Sequence, residues 1–209
     1  MTNTLRSPEK RSAASAWLAV PALCLLLSAV IVSISPPLAR GEAQACRAPE
    51  GAFVQFEAAD PPRPATSQAF VDGEGQSRIL AEFRGEGVVL NFWATWCAPC
   101  VREMPQLDHL KERLAGDGIR VLALSEDRGG APLIRKFYDV NGIKNLEVLI
   151  DVGGNVLRDL RIRGLPTTVL IDAGGSEVGR ALGAAEWDSD AVVAFLRRCL
   201  GKTRTKKNT

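Results

Sequence analysis

The run Val88-Val89-Leu90-Asn91-Phe92-Trp93 stands just ahead of Cys97-Ala98-Pro99-Cys100, and from there Met104, Leu107, Leu110 and Leu114 recur at helical spacing until Gly116. A short apolar run with no polar face belongs in the middle of a sheet covered on both sides. A strand running directly into an amphipathic helix makes this region a βα unit with both cysteines at its junction.

The rest of the chain continues the alternation. Ile119 to Leu124 reads as a second buried strand. Pro132 to Val140 reads as a helix, with Pro near its first turn and Asn141-Gly142 at its end. Leu146 to Ile150 reads as a strand, Asn155 to Leu160 as a short helix and Thr167 to Ile171 as a strand, followed by a hairpin turn and its return strand. Asp188 or Ser189 can cap a last helix whose apolar face carries Val192, Phe195, Leu196, Cys199 and Leu200. Upstream, Asp72-Gly73 marks a hairpin. The expected fold is α/β, a mixed central sheet covered by helices on both faces.

At 209 residues and 46% hydrophobic content, the chain has room for one domain and a targeting segment. The balance of 26 basic against 24 acidic residues leaves a net charge of +2, which points to no nucleic-acid partner. Residues 16–34 are almost wholly apolar and span roughly 28 Å as a helix, close to the thickness of a bilayer core. This length favours an uncleaved membrane anchor. Cleavage after Ala45, where Ala43-Gln44-Ala45 fits the small-x-small pattern, is the alternative. Arg6, Lys10 and Arg11 precede the apolar run, so residues 1–15 are expected in the cytoplasm and the remainder outside it. Cys24, in the middle of the run, is given no chemistry. Residues 35–64, rich in Pro, Ala, Gly and charge, read as a flexible spacer, 65–201 as the folded domain, and 202–209 as a basic disordered tail.

Three roles are open to Cys97 and Cys100. Zinc needs about four ligands, and the chain offers one histidine and no second Cys-x-x-Cys pair. Plain packing fits poorly with a strand-to-helix junction where the backbone is exposed. A redox couple fits well, because unpaired amides and the positive end of a helix dipole stabilise a thiolate. Cys97 is then the nucleophile. Cys100, one turn in and more covered, resolves the mixed disulfide that Cys97 forms with a substrate.

On these residues the sequence resembles the thioredoxin superfamily, and within it the membrane-anchored TlpA-like branch with its ResA and CcmG relatives. Phe92 to Cys100 is similar to the active-site strand and turn. Arg102-Glu103-Met104-Pro105 is similar to the segment that follows, and Gly164-Leu165-Pro166-Thr167-Thr168 to the loop whose cis proline faces the cysteines. The resemblance runs from about Ala65 to Gly201. It implies a thioredoxin-like fold with an inserted helix. It also implies a periplasmic thiol-disulfide reductase held in the inner membrane by a single span, with its C-terminal domain in the periplasm. Its clients would be proteins with cysteine pairs, apocytochrome c or the copper-site proteins of cytochrome oxidase. A membrane electron donor of the DsbD or CcdA kind would restore it, and no cofactor is called for. Trp96, Pro99, Leu165 and Pro166 would contact substrate, with Pro166 cis so that backbone edges stay free to pair with a client.

Two departures carry information. Thioredoxins proper place a buried aspartate in the strand before the active site, and this chain has Asn91 there, which carries no proton. Glu103 matches a glutamate of the TlpA-like and ResA-like proteins and is expected to assist deprotonation of Cys100; an exposed, salt-bridging side chain is the plain alternative. Ala98-Pro99 brings no imidazole to Cys97, which favours a reducing couple.

Some TlpA-like proteins also carry a structural disulfide between the segment after the anchor and a "PxGC" turn. Cys46 keeps the first partner, whereas the turn reads Ala173-Gly174-Gly175-Ser176. Cys199 is then the candidate partner of Cys46, with a buried thiol as the alternative. Against the reductase stands a Cu(I)-handling module, since soft thiolates suit that ion, although no Met-rich or His-rich segment accompanies the pair. A peroxidase would need a Pro-x-x-x-Thr-x-x-Cys pattern, which does not surround Cys97. His109 reads as a surface residue.

Overall fold

Strand β4 (Gly87–Trp93) is buried at every position, as a run that is apolar except at Asn91 requires: neighbours on both edges and cover on both faces. The structure, a computed structural model, describes residues 46–201. The expected N-terminal segment 1–15, the apolar segment 16–34 with Cys24, and the tail 202–209 lie outside the described residues. Among those described, no helix is long and apolar enough to cross a membrane.

In chain order the elements are β1 (Phe53–Pro64), β2 (Phe70–Asp72), β3 (Ser77–Arg78), a 3₁₀ turn at Leu80–Phe83, β4, α1 (Ala98–Arg113), β5 (Ile119–Ser125), α2 (Gly130–Asn141), β6 (Leu149–Ile150), α3 (Asn155–Asp159), β7 (Thr167–Ile171), β8 (Ser176–Ala185) and α4 (Asp190–Leu200). The strands form one sheet in the order β1-β8-β7-β4-β5-β6-β2-β3. β4 pairs parallel with β5 and antiparallel with β7, and β5 pairs parallel with β6. Each parallel connection passes through a helix, α1 or α2, because parallel neighbours need a crossover.

Side chains alternate along β4 and so divide two cores. Val88, Leu90 and Phe92 join Phe70, Phe83, Leu122 and Val156 of α3. Val89 and Trp93 join Met104 and Leu107 of α1, Ile134 and Tyr138 of α2, and Phe195 and Leu196 of α4. Asn91 is in phase with Val89 and Trp93, so this polar side chain faces α1. Helix α2 stops at Gly142, whose φ of 67° is a left-handed C-cap. At the start of α4 the Ser189 hydroxyl accepts the Val192 amide at 3.4 Å.

The spacer expected at 35–64 is corrected by β1. Twelve of its residues form an edge strand that pairs antiparallel with β8, from Phe53 opposite Ala185 to Pro64 opposite Ser176. Phe53 and Phe56 hold it down. Their rings meet the ring of Phe195 at 5.7 and 5.4 Å, and Phe53 also meets Trp187 at 5.6 Å. Pro61 and Pro62 fall in a break of register between Ala58 and Arg63, and an edge strand tolerates proline where no ladder bond is required. The folded domain therefore begins well before Ala65.

A second difference concerns the strand expected at 146–150, of which only Leu149–Ile150 pairs. Asp108 of α1, only 6% exposed, takes the amides of Asn145 at 2.6 Å and Leu146 at 2.9 Å. Its carboxylate holds this stretch as a loop, and β6 starts late.

Candidate active site

Cys97 is the N-cap of α1, and Ala98 and Pro99 open the helix, a position where proline's missing N–H costs nothing. The two sulfurs are bonded at 2.01 Å, and the Cys97 sulfur accepts the Cys100 amide at 3.3 Å. Cys97 is 6% exposed and Cys100 fully covered, the order expected of an attacking and a resolving cysteine.

The turn before Cys97 is fixed from β5. The Asp127 carboxylate accepts the Thr95 amide at 2.8 Å, the Thr95 hydroxyl at 2.7 Å and the Ser125 hydroxyl at 2.9 Å. Asp127 was not foreseen from sequence. Its signal is positional: Ser125-x-Asp127 closes the strand that runs parallel to β4, so it must arrive beside the cysteine turn.

Outside the pair lies an open groove of about 1560 Å³, lined by Trp96, Cys97, Pro99, Leu133, Val152 and Leu165 among others. Trp96 is 71% exposed and forms part of the groove wall. The Leu165–Pro166 bond is cis. Pro166 itself is buried and its carbonyl accepts the Gly183 amide at 3.0 Å, whereas Gly164 and Leu165 line the groove. Glu126, half-buried in the groove wall, is pushed up to about 8, chiefly by burial and next by the charge of Asp151 beside it.

Glu103 is 2% exposed, so the exposed, salt-bridging alternative does not hold. One of its carboxylate oxygens accepts the Asn91 amide at 2.9 Å. The other accepts the Trp187 indole N–H at 2.8 Å and the Ala185 amide at 3.2 Å. Asn91 also donates to the Thr168 hydroxyl at 2.9 Å. Burial pushes Glu103 up to about 7, against the pull of Trp187, Asn91 and Ala185, which favour the charged form. Sequence reading places Glu103 on α1 but gives no hint of Trp187, which reaches it from beyond β8.

Cys46 and Cys199 are bonded, with their Cα atoms 4.6 Å apart, so the disulfide holds and the buried-thiol alternative does not. His109 is exposed, its ring nitrogen 3.4 Å from the Asp188 carboxylate.

Comparison with known proteins agrees with this geometry. The AhpC/TSA family model matches residues 54–176, starting inside β1. The thiol-disulfide oxidoreductase ResA of Bacillus thuringiensis subsp. konkukian is 33% identical over 149 residues, covering 71% of this chain and 84% of that one. ResA of Halalkalibacterium halodurans is 39% identical over 107 residues, 51% of this chain and 60% of that one. Among solved structures, the thiol:disulfide interchange protein of Chlorobium tepidum TLS superposes with a TM-score of 0.55 at 26% identity, over 65% of this chain and 97% of that one. The pneumococcal exposed lipoprotein thioredoxin of Streptococcus pneumoniae gives 0.55 at 28% identity, over 63% and 98%. On these matches the chain belongs to the AhpC/TSA family as a ResA-like thiol-disulfide oxidoreductase of the thioredoxin superfamily.

Proposed function

We propose that this oxidoreductase works as a reductase of client proteins outside the cytoplasm, tethered to the inner membrane by its apolar segment. Apocytochrome c or the copper-site proteins of cytochrome oxidase are the client class. The carrying observation is the dipeptide Ala98-Pro99 between the cysteines, which adds no cationic side chain to steady a Cys97 thiolate. The reduced form is then not held back from giving up its electrons.

In the first step the Cys97 thiolate attacks a client disulfide. One client sulfur leaves as a thiolate and takes a proton from water, and the other stays bonded to Cys97. Cys100 then loses its proton to the Glu103 carboxylate, one helical turn along α1. Its thiolate attacks the Cys97 sulfur, the second client thiolate leaves, and the Cys97–Cys100 bond closes. Two electrons have passed to the client. A membrane electron donor of the DsbD or CcdA kind returns them.

Two measurements test this reading. The midpoint potential of the Cys97–Cys100 couple is expected well below the oxidase range, and a value at or above roughly −150 mV would overturn the reductase direction. Glu103→Gln tests the proton step. Because Glu103 ionises at about 7, it can accept a proton only as the pH rises through that value, so closure of the disulfide should accelerate across it. The variant should lose this inflection and close about tenfold more slowly or worse at pH 8. An unchanged Cys100 pKa in the variant would remove Glu103 from the mechanism.

A further inference from the structure

Glu103 lies where the central strand β4 and the segment that ends β8 meet α1. Its hydrogen-bond partners are all donors: the Asn91 side chain from β4, the Ala185 amide from the end of β8, and the Trp187 indole beyond it. A carboxylate hidden from water needs such donors to stay charged, and each one removed favours the protonated acid.

Trp187 is itself held on two sides. Its backbone amide donates to the Gln106 side chain of α1 at 3.2 Å, and its ring lies 5.6 Å from that of Phe53 on β1. The indole is fully buried. A separate cleft of about 490 Å³ reaches Glu103 from this side, between α1, the start of β1 and the end of β8. The charged groups lining that cleft are Arg102 and Glu186, both exposed. β4 and β7 present only neutral Asn91 and Thr168, and the stretch of β1 that lines the cleft carries no charge.

We propose that Trp187 is a positioning residue for the exchange reaction: through its indole N–H it fixes the Glu103 carboxylate in the place and the ionised form from which it takes the Cys100 proton. The inference rests on Glu103 being the proton acceptor. Among the described residues Trp187 is no hydrogen-bond partner of either sulfur. Its effect passes through one hydrogen bond, and β1, packed on the ring, keeps that bond in register.

The test follows closure of the Cys97–Cys100 disulfide from pH 5 to 9 in the full chain, for wild type, Trp187→Phe, Glu103→Gln and the double variant. Phenylalanine keeps an aromatic ring against Phe53 while removing the donor together with part of the indole's volume. Loss of one hydrogen bond to a buried carboxylate should move the midpoint near 7 upward by about 1–2 pH units. The double variant should match Glu103→Gln alone. If Glu103→Gln abolishes the midpoint but Trp187→Phe leaves it in place, the role of Trp187 is overturned while that of Glu103 stands. If Glu103→Gln leaves the profile unchanged, the reading beneath the proposal fails. A shift that persists in the double variant places the effect of Trp187 elsewhere and also overturns it. A measurement on the unaltered chain guards against a variant that does not fold. The indole N–H resonance of Trp187 in reduced protein should titrate with the same midpoint as closure, and a resonance flat across that range overturns the proposal.

Discussion

Serine in place of Cys97 is expected to lower insulin-disulfide reduction by at least about a thousandfold, because the hydroxyl is a poor nucleophile toward sulfur at neutral pH. Serine in place of Cys100 should fail differently. Cys97 sits at the helix cap with its sulfur against the Cys100 amide and still attacks, but nothing resolves the product. The Cys100→Ser protein should therefore accumulate as a mixed disulfide with its client, which a non-reducing gel reveals as a reductant-sensitive adduct and mass spectrometry identifies. Multiple turnover by Cys97→Ser would refute the assignment of the nucleophile. Capture by Cys100→Ser of no cysteine-containing client from membranes that hold the cytochrome and oxidase proteins would remove the maturation role and leave the oxidoreductase intact.

The second large effect concerns stability. The Cys46–Cys199 bond joins positions 153 residues apart, and closing so long a loop restricts the unfolded chain strongly. Replacing both cysteines by serine should cost about 2–5 kcal/mol, less than the full loop-entropy value because native contacts relax. In a domain of this size that lowers the melting temperature by roughly 5–15 °C. Urea unfolding under non-reducing conditions measures it directly. A loss under about 1 kcal/mol would mean that β1 is held by its own pairing with β8 and by the Phe53 and Phe56 contacts, with the disulfide incidental.

The helices and central strands were legible because each obeys one local rule. β4 is a run apolar at all but Asn91, α1 follows its cysteines with apolar residues at helical spacing, and α2 ends on a glycine. β1 obeys no such rule. The register shift between Phe53 and Gln55 moves its phase, so the half-covered aromatic residues stand three apart instead of two. The prolines further on then read as spacer. The same distinction separates the parts of the site. Cys97, Cys100 and Glu103 stand together in sequence and share a helix end. Asp127 and Trp187 come to them from β5 and from beyond β8, across contacts no local pattern encodes. The burial of Glu103 was hidden for the same reason, since its cover is supplied by those distant segments. Asn91 showed only that the strand carries no acid; its bridging of Glu103 and Thr168 depends on β7 lying beside β4.

The groove at Cys97 and the cleft at Glu103 have no lining residue in common. A client stretched over Trp96 and Leu165 can thus seal the sulfurs from water, which protects the mixed disulfide from stray thiols, and still leave the acid in communication with solvent. On the proposed mechanism, with Glu103 taking the Cys100 proton, electron traffic and proton traffic use separate entrances, so tight embrace of a client does not stall the turnover it is meant to complete.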